Sequence, residues 1–365
     1  MAPPPPRRSL IPKERFSFAF GSLRTQSYQD PSAKGPGSHT IRTIAWNPTG
    51  ALIATGSADR TLRIWNPERS QARYSTELRG HTGGIEKVLF NPARDSELAS
   101  CSSDGTVRIW DVRTKTCVSR LDVGGEAFTL SWSADGNVLI AGRKDDTLVP
   151  ISIEFPSSPN IISGGTSQPA TTTYKTVDPH PQPIQTNATT FSHHIPTESS
   201  PNRHLFATTG DGTVKLLSYP SFETLHTLHA HTSACLSISL APTGRYLAIG
   251  GSDALISLWD TTEWICRRTV SSANGGAIRG VSFSFDGRFI CGACDEVGCG
   301  GNGIEIFHAE TGESVHTVPT GGGSNTGVPA VAWHPSRYWL AYSTTADLSG
   351  PGGLRIVGAA GGGNI

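Results

Sequence analysis

The stretch CSSDGTVRIWDV, residues 101–112, contains the pattern that decides the fold. A Ser-Asp-Gly turn precedes a strand of alternating apolar and polar residues, and that strand ends in Trp-Asp. Turn residues followed by alternation of period two are typical of a β-hairpin in a half-buried sheet. The turn aspartate, Asp104, stands six residues before Trp110, and the same spacing recurs elsewhere in the chain.

Two further copies of the phrase keep the six-residue offset, at 59–65 and at 253–259. Each copy follows a strand–turn–strand segment such as IAWNPTGALIAT. A histidine stands just before the first strand of three copies: His39, His81 and His231. The 45 residues from Trp65 to Trp110 match the length of a four-stranded propeller blade. The sequence therefore predicts a repeat of four short strands.

These residues resemble the WD-repeat β-propeller family. In that family the histidine, a Ser or Thr of the second strand, the turn aspartate and the tryptophan form one hydrogen-bonded chain. The resemblance assigns three structural sets: His39, Thr55, Asp59 and Trp65; His81, Ser100, Asp104 and Trp110; and His231, Asp253 and Trp259. A carboxylate buried under a turn needs donors, which an imidazole and turn amides supply. We therefore expect these sets to be structural rather than catalytic Asp–His pairs.

Counting the repeats predicts an all-β fold, a seven-bladed WD-repeat β-propeller closed by an N-terminal outer strand. The blades are centred near Trp65, Trp110, Ile151, Leu217, Trp259, Phe307 and Val357. The Gly-rich segment after Val357 is too short for an outer strand, so the chain before His39 must supply it, from within residues 16–28. Such a closure pairs both ends of the chain and removes an exposed sheet edge.

The domain boundaries follow from composition. Residues 1–15 are Pro-rich and are predicted to be disordered, and 16–358 form the single propeller. A Pro-, Ser- and Thr-rich stretch at about 155–203 is too polar to bury, which favours a mobile insertion. Residues 184–191 within it are predicted to form the first strand of blade four, and 359–365 a flexible tail.

Charge and hydropathy limit the partners. The chain has 30 basic and 30 acidic residues, whereas a protein whose main task is to neutralise phosphates carries a basic excess. RNA is therefore expected to be contacted indirectly at most. No run of 18 apolar residues is present, so no membrane contact is predicted. Seven cysteines, an odd number in a large chain, favour a reducing compartment.

Two local motifs suggest a cofactor or a metal, but neither has the right context. GCGGNG at 298–303 satisfies G-x-G-x-x-G, yet it precedes a predicted strand instead of the helix that a dinucleotide site needs. Cys291, Cys294 and Cys299 offer three thiols, while a structural zinc site needs four ligands. No catalytic motif is recognisable, so the sequence predicts no enzyme, no cofactor and no metal.

Three phrases are more specific than the general repeat: KDD at 144–146, LSYP at 217–220 and SDALISLWD at 252–260. They resemble the family of THO complex subunit 3. The resemblance implies a non-enzymatic nuclear subunit of the THO complex, which within TREX couples transcription to mRNA packaging and export. It also implies other THO subunits as partners, chiefly the large helical scaffold subunit, with a DEAD-box RNA helicase and export adaptors contacted indirectly.

Five residues that are expected to be exposed are candidate partner contacts: Arg60, Arg113, Trp264, Arg267 and Arg268. An aromatic residue beside arginines has the composition of an interface hot spot, although Trp264 could also pack on a neighbouring blade. The residues Trp110-Asp111-Val112-Arg113 support an alternative function. They resemble the Trp-Asp-x-Arg box of substrate receptors on cullin-RING ubiquitin ligases, although the favoured interpretation of Arg113 is an ordinary solvated turn residue.

Overall fold

The structure is a computed structural model. It describes residues 10–28, 40–68, 75–155, 172–197, 201–272, 275–294, 303–320, 327–345 and 353–358. The described residues form one helix and 29 strands, and the strands group into seven antiparallel sheets.

The N-terminal segment and the first two blades contain these elements: α1 (Lys13–Gly21) and β1 (Thr25–Tyr28); for blade one, β2 (Ile41–Trp46), β3 (Ile53–Ser57), β4 (Leu62–Trp65) and β5 (Thr76–Leu78); for blade two, β6 (Ile85–Phe90), β7 (Glu97–Ser102), β8 (Thr106–Asp111) and β9 (Thr116–Asp122). Blades three and four contain these strands: β10 (Ala127–Trp132), β11 (Val138–Arg143), β12 (Thr147–Glu154), β13 (Thr173–Thr176) and β14 (His180–Pro181); then β15 (Thr186–Phe191), β16 (Arg203–Thr209), β17 (Thr213–Tyr219) and β18 (Thr224–His229).

Blades five to seven complete the chain with these strands: β19 (Cys235–Leu240), β20 (Tyr246–Gly251), β21 (Leu255–Asp260) and β22 (Cys266–Ser271); β23 (Gly280–Phe283), β24 (Phe289–Ala293), β25 (Ile304–His308) and β26 (Ser314–Val318); β27 (Val331–Trp333), β28 (Leu340–Ser343) and β29 (Leu354–Val357). The first strand of each blade contacts the first strand of the next, and β27 contacts β2. The predicted seven-bladed ring is confirmed.

Each of the seven junctions between blades carries a hydrogen bond in or next to the innermost strands. The donor–acceptor pairs, in ring order, are Val88 N to Thr43 Oγ1, Trp132 Nε1 to Leu89 O, Phe191 N to Ser131 Oγ, Asn187 Nδ2 to Cys235 O, Ser237 Oγ to Ile278 O, Trp333 N to Ser282 Oγ, and Trp46 Nε1 to Ala332 O. The donors and acceptors vary in type, but every junction is bridged. Such bonds fix the inner edges of the sheets beside one another.

The ring closes through a blade that is built from both ends of the chain. Blade seven has the strand order β1-β29-β28-β27, and β1 pairs with β29 from Thr25 opposite Val357 to Tyr28 opposite Leu354. This pairing confirms the N-terminal outer strand that the sequence predicts within residues 16–28. It covers the edge that β29 would otherwise expose.

A helix precedes the closing strand, and it corrects the predicted N-terminal boundary. Helix α1 starts at Lys13 and Ile11 is already buried, so the ordered chain begins before residue 16. Pro12 does not prevent the helix because it stands at the N-cap, where no backbone N–H is needed. The rest of the N-terminal segment that was predicted to be disordered, residues 1–9, lies outside the described residues.

The predicted insertion is shorter than the range 155–203. Strands β13 and β14 pair with β12 and occupy the outer position of blade three. Strand β15 is the first strand of blade four, close to the predicted position. The outer strand was missed because three of the four residues of β13 are exposed, so its sequence needs no apolar alternation. Residues 156–171 and 198–200, and the predicted tail at 359–365, lie outside the described residues.

The centre of the ring is a channel lined by the innermost strands of all seven blades, with a cavity of about 200 Å³. In five blades the first strand has a β-bulge after its first residue. The bulged residues all line the channel: Arg42, Glu86, Phe128, Asn187 and Leu236. A bulge redirects a side chain that the ladder would otherwise hold in the sheet face. The channel wall therefore carries side chains that leave the sheet face, and some of them contact the neighbouring blade, as Asn187 contacts Cys235.

Candidate functional site

The hydrogen-bonded chain of blade two explains the six-residue spacing in the opening stretch. Nδ1 of His81 lies 3.0 Å from a carboxylate oxygen of Asp104, and Nε2 lies 2.7 Å from the hydroxyl of Ser100. The indole N–H of Trp110 donates to the same hydroxyl at 2.8 Å. The hairpin places the turn aspartate at one end of β8 and the tryptophan near the other, and the histidine and serine join them.

The Asp104 carboxylate is also the acceptor for two neighbouring segments. It accepts from the backbone N–H of Thr82 at 2.8 Å, and from the backbone N–H and hydroxyl of Thr106 at 3.0 and 2.7 Å. Burial alone raises the pKa of Asp104, but the hydrogen bonds from Thr106, Thr82 and His81 outweigh it. They hold the pKa well below its ordinary value, so the carboxylate stays ionised.

The same geometry accommodates a neutral histidine. When Nδ1–H of His81 donates to Asp104, Nε2 is left to accept the hydroxyl proton of Ser100. Every polar side-chain atom of this hydrogen-bonded set then has a partner. Burial lowers the pKa of His81, and the hydrogen bond and charge of Asp104 offset this only in part. The histidine and aspartate side chains are only 1% and 6% exposed, so a substrate cannot reach the pair.

Blade one repeats part of this arrangement. The indole N–H of Trp65 donates to the Thr55 hydroxyl at 2.9 Å. Asp59 accepts from the backbone N–H of Thr61 at 3.0 Å and also from its hydroxyl. The predicted histidine of this set, His39, lies outside the described residues.

Blade five uses a different serine. His231 lies 2.9 Å from Asp253 through Nδ1 and 2.9 Å from the Ser257 hydroxyl through Nε2, and Trp259 donates to that hydroxyl at 3.0 Å. Ile249 occupies the second-strand position, so the third strand supplies the hydroxyl instead. The sequence analysis assigned no hydroxyl to this set. The signal was present, because a serine two residues before the tryptophan lies on the same face of the strand.

The candidate partner contacts lie on two different faces of the ring. The turns between second and third strands form the mouth face, and those between third and fourth strands form the opposite face. Arg60 is exposed in a mouth-face turn with φ 72°, within 3.5 Å of the Thr82 carbonyl. Arg113 is on the opposite face; its side chain is 75% exposed and pairs with Asp111 at 3.1 Å. The structure therefore does not bring Arg60 and Arg113 together.

The other three candidates share the corner between β21 and β22, also on the opposite face. Trp264 is half-buried there, and its ring lies 5.8 Å from the rings of both Phe206 and His226 in blade four. Arg267 is exposed and donates to Glu263 at 2.7 Å, and Arg268, next to it on β22, is exposed too. Trp264 therefore packs on the neighbouring blade, and the arginines remain accessible beside it.

The cysteine motif does not form a metal site within the described residues. Cys291 is fully buried in β24, where burial raises the pKa of its thiol, and Cys294 is disulfide-bonded. Cys299 lies outside the described residues. Across the described part of the chain, no three His, Cys, Asp or Glu side chains are grouped so that they could hold a metal ion.

The one described helix, α1, is not long and apolar enough to cross a membrane.

Known proteins are similar to this chain both in its individual repeats and over nearly its whole length. The family described as "WD domain, G-beta repeat" matches residues 31–66, 72–111 and 222–260. THO complex subunit 3 of Arabidopsis thaliana is 31% identical over 334 residues, which cover 90% of this chain and 92% of that protein. The similarity therefore runs through nearly the full length of both.

Two other relatives are matched over a smaller part of their length. WD repeat-containing protein AAC3 of Dictyostelium discoideum is 28% identical over 324 residues, 82% of this chain but 60% of that protein. The transcriptional corepressor LEUNIG_HOMOLOG of Arabidopsis thaliana is 24% identical over 70% of this chain and 28% of its own. These two matches are limited to part of a longer protein and support the propeller fold.

Proposed function

Because the chain belongs to the THO complex subunit 3 family of WD-repeat β-propellers, we propose that it is a non-catalytic docking subunit of a THO complex. The observation that carries this proposal is the similarity over 90% of the chain and 92% of the relative, which leaves little room for a different domain organisation. A closed ring that presents loops on two faces suits a protein-docking role.

The finer parts of the proposal follow from the family. The protein would act in the nucleus, where the THO complex, within TREX, couples transcription to the packaging and export of mRNA. Its direct partner would be the large helical scaffold subunit of the complex. A DEAD-box RNA helicase and export adaptors would be contacted through other subunits. Equal numbers of basic and acidic residues support indirect contact with RNA at most.

We propose the opposite face, at blades four and five, as the docking surface. Leu225, the second residue of β18, and Ile265, the residue immediately before β22, are both large apolar residues exposed to solvent. They flank the corner that carries Trp264 and Arg267. Exposed apolar residues beside an aromatic residue and an arginine are the composition of an interface core.

Co-expression tests the docking role directly. The tagged chain should co-purify in stoichiometric amounts with the largest THO subunit of the same organism, and mass spectrometry of material from cells should recover the other THO subunits. Arg267→Glu should reduce co-purification at least about tenfold, because a charge reversal at the centre of an interface is strongly unfavourable. Arg60→Glu is the matched control on the mouth face and should keep the partner.

Failure of the wild-type chain to retain any THO subunit would contradict the proposal. Retention by Arg267→Glu together with loss by Arg60→Glu would move the docking surface to the mouth face. The ligase alternative stays a prediction with its own test. Arg113→Ala should leave THO subunits bound, whereas loss of a cullin-RING adaptor upon this substitution would support a substrate receptor.

A further inference from the structure

One position in the channel wall differs between blade two and the other blades. The residue after each bulge, or at the equivalent site in blades six and seven, is small in six blades: Thr43, Thr129, Ala188, Ser237, Gly280 and Ala330. In blade two the same position is Lys87, which pairs with Cys101 in the second strand. A long basic side chain thus stands where the other six blades have a small residue.

The ammonium group of Lys87 has no acidic partner in the described part of the protein, and the buried Cys101 is the one described side chain that acts on its pKa. The side chain lines the channel and is half-buried, and no hydrogen bond or ion pair to a described residue is present. Burial lowers the pKa of Lys87, which means that the channel disfavours its charged form. An unpaired charge withdrawn from water is costly, and a nearby anion removes that cost.

The described lining residues supply no free carboxylate for Lys87. The channel lining includes one carboxylate, Glu86, and that group is engaged by Arg42 from the first strand of blade one. Three basic side chains line the same cavity: Arg42, Lys87 and Arg279. Among the described lining residues, basic groups therefore outnumber acidic groups three to one.

The size and the remaining lining restrict what can enter. A cavity of about 200 Å³ accommodates a group of a few heavy atoms, since one water takes about 30 Å³ of liquid volume. A nucleotide or a folded segment is too large. Phe128, Leu236 and Pro329 provide apolar surface on the wall, which suits the methylene groups of an aliphatic side chain. Such surface also strengthens an ion pair by lowering the local dielectric constant.

We propose that the channel binds the carboxylate of an acidic side chain from a partner protein, with Lys87 as its counter-ion. The glutamate side chain fits best, because its methylene groups can contact the apolar wall while its carboxylate reaches the ammonium group. The inference rests on the proposed docking function, to which it adds one recognition contact, although its test needs no THO subunit.

The test compares two peptides on the purified full-length chain. The capped pentapeptide Gly-Ser-Glu-Gly-Ser and its glutamine counterpart differ only in the charge of the central side chain. Calorimetry, with NMR of the lysine side-chain signals, should show the glutamate peptide binding at least about tenfold more tightly. Lys87→Met should abolish this preference. Lys175→Met, which removes the same charge from the exposed outer strand of blade three, should retain it.

Equal affinity for the two peptides, or no binding of either, overturns the inference, as does an unchanged preference in Lys87→Met. Binding of free glutarate without binding of the glutamate peptide also overturns it, because the source would then be a small dicarboxylate. The peptide comparison on the wild-type chain does not depend on the variant folding. Glutamate binding without retention of THO subunits would contradict the proposed function alone, and the reverse would contradict this inference alone.

Discussion

Blade two and blade seven are held in the ring in different ways. Blade two contains a buried polar chain from Asp104 to Trp110, with every donor and acceptor paired. Blade seven has Val357 where blade two has the tryptophan, and helix α1 packs against it instead. The ring of Phe20 in the helix lies 5.5 Å from that of Trp333 in β27.

The two blades are stabilised by different kinds of interaction: directional hydrogen bonds in blade two and non-directional apolar packing in blade seven. The polar chain specifies one hairpin geometry and acts within a single blade. The helix packs apolar side chains across two blades, since Phe16 stacks at 3.8 Å on Phe289 of blade six and lies near Tyr338 of blade seven. The helix and the closing strand β1 belong to one segment, so the N-terminal segment both pairs the last sheet and covers its junction with blade six.

The largest effect is expected from Trp110→Ala in blade two. The side chain is almost fully buried, and its removal leaves a large cavity between blades one and two and takes one of its two partners from the Ser100 hydroxyl. The free energy of unfolding, measured by urea denaturation, should fall by about 4 kcal/mol. Trp110→Phe keeps most of the volume and should lose less than half of that. Equal losses in the two variants would assign the stabilisation to the indole N–H instead of to packing.

The second largest effect is expected from Phe16→Ala in helix α1. Phe16 is fully buried against blades six and seven, and its loss should destabilise the protein by about 3 kcal/mol. Phe18, on the other side of the helix, is 86% exposed and provides the matched control. Phe18→Ala should change the free energy of unfolding by less than about 0.5 kcal/mol.

A comparable loss in the two variants would show that the helix does not stabilise the junction through its buried face. A selective increase in the protease susceptibility of the N-terminal segment of Phe16→Ala would sharpen the comparison with blade two. It would show that a blade held by an external helix loosens locally, whereas a blade with an internal polar chain should unfold with the ring.

The inner three strands of most blades could be predicted because they are buried on both faces and joined by recognisable turns. Most outer strands could not, because their residues face solvent: β13 and β22 are mostly exposed. The closing strand β1 is the exception, and it was predicted from the need to close the ring and not from its own residues. Helix α1 was missed for a different reason. The stretch FSFAF at 16–20 has apolar residues at alternate positions, which is a strand pattern, and only tertiary packing selects Phe16 and Phe20 as the buried pair.

The hydrogen-bonded sets of the blades could also be predicted only in part. The set of blade two was predicted in full because it follows the family pattern at each position. In blade five the hydroxyl comes from Ser257, to which the family spacing assigns no role. The signal for it was its position two residues before Trp259 on the same face of the strand. Lys87 was missed because a single lysine in a strand is unremarkable in sequence. Its significance appears only when the seven innermost strands are aligned in the ring.

A smaller effect is expected from Ser257→Ala in blade five. Removal of the hydroxyl leaves the Trp259 indole N–H and Nε2 of His231 with one partner fewer, which should cost about 1–2 kcal/mol in urea denaturation. Ser100→Ala in blade two should cost the same amount if the two serines are equivalent. Ser27→Ala in the exposed part of β1 is the control and should be close to neutral. A neutral Ser257→Ala would mean that the polar chain of blade five is not a substitute for that of blade two.

The smallest effect is the acid sensitivity of the polar chain. Burial lowers the pKa of His81, so between its folded value and the ordinary value of 6.5 the unfolded chain binds a proton that the folded chain does not. The stability from the neutral histidine is therefore fully present above pH 6.5 and is lost as the pH falls below it. Arg108 and Arg120 act in the same direction, whereas Asp104 opposes it. The free energy of unfolding should decline from pH 7.5 to 5.5, with a smaller slope in His81→Gln than in the wild type. Parallel slopes would show that other histidines whose pKa is lowered by burial, such as His204, His308 and His316, account for the acid sensitivity.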